Sequence, residues 1–141
     1  MVTKIYKSQN PASETEEQRT FRYWYEQLYL TPRQKKALQQ LEKISQYLFD
    51  LELFLESDGA SIDEDSLLVQ EPESVFIFVH TLSDPSVGIF PIDVITIRIK
   101  PDGQVDVMRG RRIEYFLEGF EPEDRAEFEK FIADLPSKLK V

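Results

Sequence analysis

Apolar residues change their spacing along this chain, and each change marks a different element. In the stretch FRYWYEQLYL, residues 21–30, Phe21, Trp24, Tyr25, Leu28 and Tyr29 fall within an arc of about 140° when plotted at 100° per residue, the width of a core-facing helical stripe. Ser13 and Glu16 stand at capping-box spacing just before it, which predicts a helix beginning near residue 13. Thr31, Pro32 and Gln34 repeat the signal, so a second helix follows after a tight corner. Its stripe runs through Ala37, Leu41, Ile44, Leu48, Leu51 and Leu55, extending the helix to about residue 57. Over the last two turns Tyr47, Phe49, Leu53 and Phe54 make it apolar on the other sides too. Phe49, Leu51, Leu53 and Leu55 also alternate as a strand would, but β-branched residues are few there, which favours helix.

The spacing then shifts to a period of two. In SVFIFVHTL, Val75, Ile77 and Val79 alternate with Phe76, Phe78 and His80, so both faces are largely apolar and a central strand is expected. IFPIDVITIRIK leads to the turn PDG and returns as QVDVMRGRRIEYFL. A type I turn with Gly103 in the left-handed position puts Lys100 opposite Gln104, Ile99 opposite Val105 and Ile97 opposite Val107. On the other face Arg98 then meets Asp106 and Asp93 meets Arg111, so apolar faces apolar and charge faces opposite charge. Pro122 opens a last helix whose Phe128, Phe131, Ile132 and Leu135 lie at i, i+3, i+4 and i+7. The order of elements predicts an α+β fold: an N-terminal helical hairpin and a C-terminal helix packed on a small antiparallel sheet of three strands, or of four. Residues 1–12 read as a flexible tail and 13–141 as one domain.

Composition narrows the chemistry. Without cysteine there is no disulfide, thiolate metal site or cysteine nucleophile. No apolar run approaches the ~18 residues of a membrane span and no leader is evident, so the expectation is a soluble cytoplasmic protein. The formal charge of −9 argues against nucleic acid and anionic membranes as partners. That charge is segregated: between Ile44 and Ile97 there are eleven acids and no Lys or Arg, whereas Arg98 to Arg112 hold five basic residues and two acids.

No catalytic, cofactor or nucleotide-binding motif is present, so neither a catalytic residue nor a cofactor is expected. His80, the single histidine, reads as structural without an orienting carboxylate in view. Asp58, Asp63, Glu64 and Asp65 lack the spacing of a calcium loop and read as a solvated loop, with no metal site. The aromatics remain. Each large ring contributes about 1.5–3 kcal/mol on burial, so most belong to the core, but Tyr23, Leu30, Tyr47, Phe49 and Phe54 fall off the helical stripes. Surplus apolar surface of that kind predicts an interaction module that docks a protein partner or a second copy of itself. The alternative expectation is an anion- or nucleotide-binding protein or enzyme using Arg109, Arg111, Arg112 and His80, with Arg98 and Arg111 partly occupied by cross-strand acids.

Overall fold

The computed structural model describes residues 15–62, 71–82 and 91–140. The tail assigned to residues 1–12, Ser13 and the acids Asp63, Glu64 and Asp65 lie outside the described residues. Helix α1 (Glu16–Gln27) is capped two residues later than its first signal suggested. Thr15 accepts from the Gln18 amide while the Gln18 side chain accepts from the Thr15 N–H, a complete capping box. Phe21, Trp24 and Leu28 are buried, and Tyr25 packs beside them.

Helix α2 (Pro32–Ile44) starts at the second box as expected, with Thr31 and Gln34 bonded reciprocally. Gln34 does more than cap. It is fully buried, and its Nε2 donates to the carbonyls of Glu73 at 2.6 Å and Ile99 at 3.2 Å, while Thr31 Oγ1 donates to the Pro101 carbonyl at 2.6 Å. One side-chain amide therefore ties the start of α2 to the segment entering one strand and to the end of the next.

The second helix is shorter than its stripe. It breaks at Ser45, resumes as α3 (Gln46–Asp50), and ends where the Leu51 and Leu53 amides converge on the Leu48 carbonyl and Glu52 takes a left-handed φ of 61°. The chain then becomes strand β1 (Phe54–Asp58), so the helix expected over residues 51–57 is replaced by a strand. Continuing the helix would have left apolar side chains on every side, whereas the strand buries Leu53 and Leu55 and gains a ladder against β2 (Val75–Leu82).

The sheet is four-stranded and antiparallel in the order β1-β2-β3-β4, with β3 at Pro91–Ile99 and β4 at Val105–Arg109. The β3–β4 turn has the anticipated geometry: Gly103 sits at φ 90°, its N–H bonds the Lys100 carbonyl, and Ile99, Ile97 and Arg98 face Val105, Val107 and Asp106. The expected Asp93–Arg111 pairing is absent because β4 stops at Arg109. There the Gly110 N–H bonds the Val94 carbonyl so closely that a Cβ at 110 would collide with the backbone of Asp93. Residues 113–117, read from sequence as strand, instead form the short helix α4 (Ile113–Leu117), which buries Ile113 and Leu117 one turn apart. Helix α5 (Pro122–Leu139) closes the fold with Phe128, Phe131, Ile132, Leu135 and Leu139 inward.

Val75, Ile77, Val79, Ile95, Ile97 and Ile99 form the buried floor on which the helices lie. The fold is α+β with its helices packed on a sheet.

Gln34→Leu keeps the volume but strips acceptor and donor from Thr31, Glu73 and Ile99. It lowers unfolding free energy by about 2–3 kcal/mol in urea titration. Glu52→Gly acts in the opposite direction, because glycine occupies the left-handed position without a Cβ penalty: the urea midpoint rises, corresponding to about 0.5–1 kcal/mol.

Candidate functional site

Strand pairing dictates which side chains share a surface, since residues directly opposite in a ladder point the same way. On the face turned away from the buried floor, three rows follow from the register. Phe54, His80 and Asp93 form one; Glu56, Phe78, Thr96 and Met108 the next; Asp58, Phe76, Arg98 and Asp106 the third. Phe54 is 53% exposed, Met108 44% and Phe78 36%, so this face carries apolar groups that none of the described helices covers.

The groups on it are ordered against one another. Phe76 and Phe78, two residues apart on β2, stack with centroids 6.3 Å apart and planes 10° from parallel. The Arg98 guanidinium lies 5.8 Å above the Phe76 ring and its Nε donates to Ser74 Oγ at 3.1 Å. Arg98 stands opposite Asp106 in the ladder as expected, and the Asp106 carboxylate is 3.5 Å from Lys100 Nζ. The Phe54 ring centroid is 5.9 Å from that of His80, whose Nε2 is 3.4 Å from Glu56 Oε1. At the α1 side of β1 a groove of about 550 Å³ is lined by Arg19, Thr20, Phe49, Phe54, Glu56 and His80.

The five residues first assigned to docking are divided among three places. Phe49 and Phe54 meet at this groove. Tyr23, 61% exposed, lies one turn beyond Arg19 and Thr20 on the same side of α1. Leu30 packs against the core, and Tyr47 turns to α5, its ring 4.7 Å from Phe131. Burial, followed by the nearby carboxylates of Glu127 and Asp124, raises the Tyr47 hydroxyl above its ordinary value. Tyr25 is raised much further by burial and by its 2.7 Å bond to Glu42, so it stays a neutral donor.

The four residues of the anion reading are not brought together. His80 lies on the open sheet face, whereas Arg109 is opposite Ile95, on the side of the floor, where it bonds both carboxylate oxygens of Glu129 on α5 and stands 3.7 Å from Glu114. Arg111 is exposed in the turn after β4 and Arg112 occupies the N-cap position of α4 without a side-chain capping bond. The bidentate bond raises Arg109 and holds the Glu129 carboxyl below its ordinary value. Among the described residues, no cluster of three or more His, Asp or Glu is placed to hold a metal, and no helix is long and apolar enough to cross a membrane.

Phe76, Phe78, Thr96 and Met108 were not assigned to a site from sequence. The signal was present: a strand apolar on both faces needs a layer on each, and the chain supplies helices for one. Compared with protein-family models, curated proteins and solved structures, the chain matches none of them.

Glu129 supplies a pH test of how α5 is held to β4. Because its folded pKa lies below the ordinary 4.5, the stability it contributes is complete above that value and is lost as pH falls through the folded one. Glu129→Gln therefore costs about 0.5–1 kcal/mol at pH 7, less in high salt, and the gap from wild type closes in strong acid; urea unfolding at both pH values measures it.

Proposed function

We propose that the chain is a small intracellular protein-interaction module, an assembly, adaptor or regulatory factor, whose docking surface is the open sheet face and its continuation at Phe49 and Phe54. The observation that carries this reading is the exposure of Phe54, Phe78 and Met108 on one uncovered face, beside the stacked Phe76. A ring left half in water forfeits much of the stabilisation its burial would supply, and a cluster of such rings is how an interface core presents itself. The helical hairpin keeps a part in this reading, since α1 and α3 wall the groove beside β1.

The surface favours binding over catalysis. A reaction needs a nucleophile or a proton donor and acceptor converging on one point. Here, apart from the His80–Glu56 contact at 3.4 Å and the Lys100–Asp106 contact at 3.5 Å, the described titratable groups of the face stand in separate rows among the aromatics, an arrangement suited to gripping a polypeptide. Interface aromatics combine large contact area with few rotatable bonds, so binding through them costs little side-chain entropy.

Incorporation of a photo-crosslinking amino acid at Thr96, in the middle of the face, tests this in the native cell. A defined protein is captured, and Phe78→Ser reduces its capture about tenfold or more while thermal unfolding of the variant stays close to wild type. Capture that is indifferent to Phe78, or absent, removes the reading.

A further inference from the structure

The charge around the open aromatic face defines what it accepts, an inference that rests on the interaction reading above. Glu56 and Asp58 stand on β1 at one edge, Asp106 on β4 at the other, and Asp93 at the end beside His80. Against these four acids the described residues of the same face hold two permanent cations, Arg98, engaged by Ser74 and Phe76, and Lys100, whose Nζ is 3.5 Å from Asp106, so the acids outnumber the cations two to one. Acids therefore frame the rings on three sides.

The size of the face limits the occupant as well. Four strands about 4.8 Å apart and three rows about 7 Å apart give a footprint on the order of 400 Å². A stable globular interface needs roughly 800 Å² from each partner, so a second folded domain would not be held by this face alone. A second copy is further disfavoured by its own frame of acids and by the chain's net charge of −9. Nucleic acid would bring phosphates against the same acids.

We propose that the open face binds a short basic segment of a partner protein, one in which Lys or Arg alternates with Leu or Phe. Its apolar side chains lie on Phe76, Phe78 and Met108, with an anchor in the groove at Phe49 and Phe54. Its cations reach Glu56, Asp58, Asp93 and Asp106, and pass over the Phe54 and Phe78 rings as Arg98 does over Phe76.

The full chain, labelled for NMR, is titrated with three probes: a short peptide alternating Lys and Arg with Leu and Phe, the same peptide with Glu at every basic position, and a single-stranded oligouridylate. The basic peptide shifts the resonances of Phe78, Thr96 and Met108, its affinity falls as salt is raised, and the double variant Asp58→Asn, Asp106→Asn binds it about tenfold more weakly with its unfolding temperature retained. Equal or tighter binding of the acidic peptide at the same resonances overturns the charge assignment and leaves the interaction reading standing. Binding of the oligouridylate alone, self-association through Phe78, or a basic-peptide response confined to other surfaces overturns this proposal. Loss of the Phe78-dependent capture in cells is a separate outcome and removes the interaction reading itself.

Discussion

The carboxamide of Gln34 joins the two layers of this protein. Its oxygen accepts the Thr31 N–H and starts α2, while its nitrogen donates to the carbonyls of Glu73 and Ile99 at the margin of the sheet. A fully buried amide is costly to leave unpaired, so this side chain permits one placement of α2 over the strands and few others. Thr31 reinforces it through Pro101, at the corner where β3 turns back as β4. With the helix layer held at that margin, α5 is secured at β4 by Arg109 and Glu129.

One-sided packing follows, and with it the character of the open surface. Ile97 and Phe78 are near neighbours in sheet position, yet one is fully buried and the other stands in water because they point to opposite faces. The same strand β2 thus contributes Val75, Ile77 and Val79 to the core and Phe76, Phe78 and His80 to the open face. The break after α3 serves both purposes: Leu53 and Leu55 turn inward, and Phe54 joins the aromatic surface.

Much of the fold was legible where local chemistry and burial agree. The box at Thr31 and Gln34, the stripe of α5 and the Gly103 turn each depend on residues close in sequence, and each has its expected geometry. Errors arose where a local pattern served two structures equally. Leu51 and Leu55 complete a helical stripe, but Leu53 and Leu55 also complete a strand, and only the presence of β2 alongside decides between them. The run from Arg109 to Leu117 continued the strand reading until Gly110 met the backbone of Asp93, a contact between residues far apart in the chain. Of the candidate site, Phe49 and Phe54 were recognised as surplus apolar residues; Phe76, Phe78 and Met108 were not, since a strand apolar on both faces reads as enclosed.

The sequence by itself determined the starts of α2 and α5, the β3–β4 register next to the Gly103 turn and the acidic balance, because capping, turn chemistry and charge are properties of neighbouring residues. Tertiary structure decided where the second helix gives way to a strand and which sheet face stays bare. Gln34 shows the division within one side chain: its role as a cap follows from Thr31 three residues before it, whereas its bonds to Glu73 and Ile99 exist only once strands distant in sequence have been brought to the end of α2.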